Sequence, residues 1–411
     1  MSAGPAMTRR GVAVAAAAVG TAGAIATAIG FAVDPAQAAF SYLTAWAFAL
    51  SIALGALIFA LIGHAVDARW TIVFQRFTEA ITSSLPVLAI GFLPVALAAG
   101  WLYPWADPAA VAALDPEAAA RLAHKAGYLN VTAWSIRAVV YLALWIAIAE
   151  LVARWSARSS RSSRSSGSSQ SANDGRAGSD ASDPIVRARG LSAAALPAVG
   201  LTLTFASFDW LMSLTPQWYS TIFGLLYFSG GFVAALSLVA VIARAARGVP
   251  EVAAAVGASH TGALGRMMFA FLVFWAYMEL AQGLIIWIAN KPDEVPWYIA
   301  RGAGRWGGVF ALLVIGHFAA PFFVLLSRPL KRRPGLLAIA GGWLVAMHYV
   351  DVYWLVMPVL HPELSIHWLD VAAPCAVLGL STAVACVRAP ARAVIAREDP
   401  RLAAAIAYEG T

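Results

Sequence analysis

Apolar runs long enough to cross a lipid bilayer follow one another along almost the whole chain, and nothing else in the sequence limits its fold so strongly. A helix rises 1.5 Å per residue, so about 20 apolar residues span a hydrocarbon core. Such stretches fall at 11–33, 40–63, 81–103, 131–152, 191–212, 220–243, 264–289, 307–327, 335–357 and 367–387. The expected fold class is therefore an all-α integral membrane protein with about ten transmembrane helices. Composition agrees, because only 12% of the residues are charged against roughly 25% in soluble domains. Cys375 and Cys386 share one apolar stretch and match no metal or disulfide pattern.

The net charge of +7 does not point to nucleic acid, because the basic residues are not gathered in one domain. They alternate with the apolar stretches: Arg9 and Arg10, Arg69 and Arg76, an Arg-rich segment at 153–190, Arg244, Arg247 and Arg266. "SRPLKRR" (327–333) and a tail with Arg388, Arg392, Arg397 and Arg401 complete the set. All of these lie on one side if the N-terminus does, so the positive-inside rule places both termini in the cytoplasm. The first stretch, "TRRGVAVAAAAVGTAGAIATAIGFAVDPAQA", has the twin arginine and AQA end of an export signal. Its apolar run exceeds the roughly 7–15 residues of a signal core, which favours an uncleaved anchor. Between the fourth and fifth stretches, "RSSRSSRSSGSSQSANDGRAGSDASDP" has little apolar surface to bury and reads as a disordered cytoplasmic linker. It divides a four-helix half (1–152) from a six-helix half (191–387), which is followed by a cytoplasmic tail (388–411). The outer loop 104–130 is expected to hold a short amphipathic helix.

A charge at the centre of a spanning helix costs about 2.5–3.5 kcal/mol, so each one needs a partner or a purpose. Glu279 and Gln282 lie three apart on one face of the seventh stretch, near mid-depth. His317 has a similar depth in the eighth, and His348 and Asp351 share a face of the ninth. There a carboxylate would orient the imidazole and set its tautomer. Arg137 and Asp209 fall in the outer third of the fourth and fifth stretches, while Glu150 ends the fourth on the inner side. His361, Glu363, His367 and Asp370 gather at the outer mouth of the tenth. Residues near the interfaces, among them Glu150, His64 and Asp370, have an ordinary reading as snorkelling charges. Taken together, Glu150, Glu279, His317, His348, Asp351 and Asp209 order from the inner face outward as a ladder of protonatable groups, such as relays protons in pumps and transporters. The aromatic residues around Asp209 and Asp351 equally suit a quinone ring, with a His or carboxylate taking the quinol proton. In "FASFDWLMSLTPQWYS", Asp209 lies about one turn inside the outer boundary with no cation nearby in sequence. It is expected either to be an exit carboxylate or to form a buried ion pair with Arg137.

Other chemistries find no support. Neither the recurring histidine spacing of a bis-His haem nor a thiolate cluster for iron–sulfur occurs. "GAGRWGG" has the glycines of a nucleotide loop without the strand–turn–helix setting. The chain is expected to bind no cofactor of its own.

"FASFDWLMSLTPQWYSTIFGLLYFSGG", "AYMELAQGLIIWIANKPDEVPWYIAR", "GHFAAPFFVLLSRPLKR", "HYVDVYWLVMPVLHP" and "REDPRL" together resemble a membrane subunit of bacterial alternative complex III. That complex is a quinol:cytochrome c (or quinol:oxidase) oxidoreductase unrelated to the cytochrome bc complexes. The resemblance covers residues 40–401 or so and is to the smaller, second of its two NrfD-like, polysulfide-reductase-type subunits. It implies NrfD-like paired helix bundles, a place in the bacterial cytoplasmic (inner) membrane and a sister NrfD-like subunit alongside. The implied peripheral partners are an iron–sulfur/molybdopterin-type subunit and multihaem and monohaem cytochromes c. These carry the haem c and iron–sulfur clusters, while this chain meets membrane lipids and no nucleic acid. Menaquinol or another quinol is the implied reductant, its oxidation usually being placed in the sister subunit. Quinone binding and proton conduction are both implied for the second subunit. The positions matching its polar motifs are Asp209, Glu279, Gln282, His317, His348 and Asp351, with Arg137, Glu150 and Asp370 as secondary candidates. The expected function is that of a subunit not catalytic alone, contributing to proton translocation and with a quinone pocket as a further expectation. The alternatives are a structural anchor for the complex, or a secondary transporter, which calls for broken helices at matching places in two halves.

Overall fold

A computed structural model of the chain describes residues 9–166, 184–388, 394–395, 399 and 401–410. Ten helices among them are long and apolar enough to cross a membrane. They are α1 (Arg9–Val33), α2 (Pro35–Ala65), α3 (Arg69–Leu97), α4 (Val131–Arg154), α5 (Val186–Leu214), α6 (Phe223–Gly248), α7 (Ala258–Ala289), α8 (Gly304–Leu326), α9 (Pro334–Val359) and α10 (Leu369–Arg388). No strand occurs among the described residues, and the chain is an all-α, multi-pass membrane protein. Arg9 Nε donates to the Cys386 carbonyl over 2.6 Å, so α1 starts where α10 ends, at one face of the bundle, the terminal face.

α2 and α6 form its axis. Both are apolar on every side and mostly buried, as a helix surrounded by protein must be. They cross at "FSGG": a Cβ on Gly231 would stand 2.7 Å from the Ser51 Cβ, so only glycine lets the two backbones come so close. α5, α9 and α10 pack on α2, and α7 and α9 pack on α6. α1 lies outside this group and pairs with α10 through small residues. A Cβ on Gly23 would stand 2.4 Å from the Ala376 nitrogen, and one on Gly379 would stand 2.5 Å from the Gly20 Cα. First and last helices are thus neighbours, and helices from both sequence halves share one core.

The third crossing differs from the expected 81–103. It begins with a 3-10 turn at Arg69–Phe74 and continues as short helices Gln75–Thr82, Leu85–Ile90 and Leu93–Leu97. Pro86 and Pro94 have no N–H to donate backwards, so each starts a new piece. Carbonyls left free at the breaks are met from α2, where Tyr42 O–H donates to Gly91 O and Trp46 Nε1 to Leu88 O, both at 2.8 Å. Satisfaction by a neighbouring helix is what makes broken backbone tolerable at membrane depth.

In the 153–190 segment, helical backbone covers both ends, since one helix runs on to Ser166 and the next begins at Pro184. Residues 167–183, and with them the expected disorder of the linker, lie outside the described residues. The surface helix expected in 104–130 is Pro116–Lys125, started by Asp115, whose carboxylate accepts from the Ala118 N–H at 2.8 Å. Its Arg121 pairs with Glu117 (2.8 Å) and reaches Asp293 (3.6 Å), which ties this loop to the one after α7.

Candidate functional site

"HYVDVYW" places His348 and Asp351 one turn apart on α9, and both face the middle of the bundle, 1% and 3% exposed. His348 Nδ1 lies 3.4 Å from Asp351 Oδ2. On its other side, Nε2 lies 2.8 Å from Ser51 Oγ of α2, whose own hydrogen goes to the Phe48 carbonyl, also at 2.8 Å. The serine oxygen is therefore the acceptor, and Nε2 carries a hydrogen. In a neutral imidazole this leaves Nδ1 as a lone pair facing a carboxylate. A single proton between Nδ1 and Oδ2 removes the conflict, whichever atom holds it. Gly230 of α6 makes the room, since a Cβ there would stand 2.9 Å from the imidazole and 3.0 Å from Oδ2.

His317 belongs to a π-helical turn, Leu313–Ala319, within α8. Pro321 offers no N–H to the His317 carbonyl, and the widened turn absorbs the mismatch. Trp343 Nε1 donates to the Gly316 carbonyl in that turn at 2.6 Å. The histidine ring is fully buried and stacks on Trp275 of α7, 4.1 Å between centroids at 18°. Both its nitrogens lack a hydrogen-bond partner, as do Trp275 Nε1, His348 Nδ1 and Asp351 Oδ1. Asp351 and His348 lie within electrostatic reach of His317, and Asp351 within that of Glu279. Glu279 itself is half-buried and has no hydrogen-bonding or ionic partner among the described residues. An unpaired buried polar group costs about 1–3 kcal/mol, so several in one place call for a functional explanation. Gln282, one turn further along α7, accepts from Ser220 Oγ in the connection before α6.

The remaining acidic candidates, Asp209, Asp370 and Glu150, lie elsewhere and are tied down. Asp209 does have a cation: Arg137 Nε and Nη2 donate to its two oxygens at 2.9 and 2.7 Å, and Tyr141 adds a hydroxyl at 3.3 Å. Arg137 also lies over the Tyr128 ring, 3.8 Å from its centroid. Both carboxylate oxygens are engaged by one guanidinium in a bidentate pair, so of the two expectations for Asp209 the geometry takes the ion pair. Asp370 accepts from Ser41 Oγ (2.6 Å), Gln37 Nε2 (3.2 Å), Tyr353 O–H (2.9 Å) and the His367 N–H (2.9 Å). It clamps α2, α9 and α10 together at the end away from the termini. Glu150 pairs with Arg388 and joins the terminal ends of α4 and α10.

Sequence reasoning missed Ser51, Gly230 and Trp275, none of which is conspicuous in an apolar helix. It also gave no role to Tyr298 or Arg301 in "PWYIAR", the helix Val295–Gly302 that follows α7. The Tyr298 ring rests 4.0 Å from the Cβ position of Gly283, one turn from Glu279, and burial together with the Glu279 charge raises its phenol pKa. Arg301 is buried, stacks on Trp297 at 3.7 Å and donates to the carbonyls of Trp297 (3.2 Å) and Leu355 (2.8 Å). Among the described residues it has no carboxylate partner, and burial lowers its pKa to about 9.

Two hollows stand out in the bundle. One of about 20 Å³ is lined by His64, Thr71, Gln75, Thr78 and Arg401, and one of about 10 Å³ by Arg244, Arg247, Thr261 and Pro334. Each holds about one water molecule, and neither reaches the His348 cluster. No protein-family model matches the chain, and no curated protein matches it in sequence.

Proposed function

We propose that this chain is an NrfD-like membrane subunit of a quinol-oxidising respiratory complex, and that its part there is to hold and pass protons. The observation that carries this reading is the meeting of Glu279, His317, His348 and Asp351, from α7, α8 and α9, with several of their buried polar atoms unpaired. In this reading the His348–Asp351 pair stores one proton between Nδ1 and Oδ2. Glu279, free of any fixed partner, takes that proton when it leaves, so a single proton serves two carboxylates that repel when both are ionised. His317, stacked on Trp275 with both nitrogens free, accepts on one and donates from the other. The basic terminal face is taken as cytoplasmic, in a bacterial inner membrane, by the positive-inside rule. The proton role is better supported than a quinone pocket, because Phe48 packs directly on both His348 and Tyr349, at 5.5 and 5.4 Å. Quinol chemistry, haem c and iron–sulfur clusters belong in this reading to partner subunits, as the resemblance implies.

Purification in mild detergent tests the identity. Multihaem cytochromes c and a large iron–sulfur protein should travel with the chain; isolation alone, with solute uptake in liposomes, would replace this reading with a transporter. Within the complex, E279Q/H348Q/D351N should assemble and lose at least ten-fold of its proton translocation. Full translocation by that variant would leave only the anchor.

A further inference from the structure

The side of α7 that packs inward carries Trp275, Glu279, Gln282 and Ile286, at the three- and four-residue spacing of one helix face. Trp275, Gln282 and Ile286 are buried, while Glu279 between them is only half-covered. Tyr277, Leu280, Leu284 and Ile288 make up the exposed side of the helix, and Glu279 is not among them. Its remaining exposure is therefore a gap in the inner packing. One turn further from the termini, the Tyr298 ring lies 4.0 Å from the Cβ position of Gly283, at the outer end of that gap. Glu279 and Arg301 both lie within electrostatic reach of the phenol. Gln282, the other polar group on this turn, is already engaged by Ser220. The Tyr298 hydroxyl has no hydrogen-bonding partner among the described residues. Tyr42, Tyr103, Tyr141, Tyr227, Tyr349 and Tyr353, by contrast, each donate to a carbonyl or a carboxylate.

The helix that carries Tyr298 is fixed at both sides. Trp297 stacks on Trp218 of the α5–α6 connection, 4.3 Å between centroids at 12°. Arg301 donates to the Leu355 carbonyl of α9 at 2.8 Å, and its own carbonyl accepts from Trp354 Nε1 at 3.0 Å. A tyrosine with only a packing role would satisfy its hydroxyl as the other six do; this one is held over a half-covered carboxyl with the hydroxyl free. We propose that Tyr298 is the outer gate of the proton cluster, passing protons between Glu279 and the face away from the termini, which rests on the proton role proposed above. The phenol oxygen takes the proton that leaves the Glu279 carboxyl while the phenol hydrogen departs on the outer side. Rotation of the hydroxyl then resets it, and no charge stays on the ring. Burial, and after it the Glu279 charge, raise the phenol above its usual pKa, which suits a hydroxyl that hands protons on without standing ionised.

Infrared difference spectroscopy of the full chain, in whatever assembly it purifies, tests this through exchange of the Glu279 carboxyl proton in D2O. Loss of the carboxyl band in E279Q identifies it. Y298F keeps the ring and removes the hydroxyl, and should slow exchange of that band at least ten-fold. Y298A removes the ring as well, lets water into the gap and should exchange at least as fast as the wild type. Wild-type exchange in Y298F, exchange in Y298A slower than the wild type, or no carboxyl band sensitive to E279Q would each overturn the proposal. If Y298A does not fold, the Y298F rate alone decides. Exchange requires no turnover, so the two readings fail separately. Unchanged exchange in Y298F with lost translocation by E279Q/H348Q/D351N would remove the gate and keep the proposed function, whereas full translocation by the triple variant would remove that function at any exchange rate.

Discussion

Asp209 has donors on both oxygens, while Asp351 has one oxygen against an imidazole and the other against no donor. In sequence Asp209 stands alone among aromatic and apolar residues, whereas Asp351 has His348 one turn before it. What separates them is a partner 72 residues away in one case and a neighbour one turn away in the other. D209N would leave the half-buried Arg137 guanidinium without its counter-charge, at a cost below the roughly 3–5 kcal/mol of a fully buried pair. A lowered thermal midpoint in detergent should report this, with part of it recovered in R137Q/D209N; an unchanged midpoint would reopen Asp209 as a proton group. Gly230 provides a complementary test, because it touches the cluster and carries no chemistry of its own. G230A places a methyl group where the His348 ring and Oδ2 now stand, 2.9 and 3.0 Å away. Proton-coupled turnover should fall ten-fold or more in an assembled complex, and wild-type turnover would show that the pair takes no part. Neither Gly230 nor Ser51 was visible beforehand, since a small residue in an apolar helix announces nothing about what lies across from it.

At the level of elements, ten spans could be read from length and hydropathy, and ten are present among the described residues. The prolines that interrupt α3 and widen α8 were in plain view as well. Their consequences were not, because those depend on who supplies the missing donor: Tyr42 and Trp46 for α3, Trp343 for α8. The pairing of α1 with α10 was equally hidden, since periodicity describes a face and does not name its partner. Here the contact is backbone on backbone, and lipid provides no hydrophobic drive to hold two helices together without it. G379L should therefore detach α1 from α10. Disulfide cross-linking between cysteines introduced on facing positions of the two helices should drop in G379L; retained cross-linking would show that the glycine contact is dispensable.

At the scale of the whole molecule, the described part of the tail closes the terminal face. Arg401 holds Asp67 (3.1 Å) and Asp399 (2.9 Å), and the Leu402–Ile406 helix places the Ala405 carbonyl 2.8 Å from His260 Nε2. The hollow beneath His64 lies under this clasp. R401Q should loosen it, and amide exchange over residues 64–79 should speed up several-fold; wild-type exchange rates would mean that the tail rests there without restraining anything. The sequence by itself determined that the chain lives in lipid, how many times it crosses, and which ionisable groups would be costly there. Those conclusions follow from length, apolarity and desolvation, which are local quantities. Only the tertiary structure decided which of those groups meet. It set Asp209, Asp370 and Glu150 against fixed partners, put His348 beside Asp351, and left Glu279 and His317 within electrostatic reach of Asp351, because the direction of a side chain around a nearly uniform apolar helix is fixed by the helices packed against it.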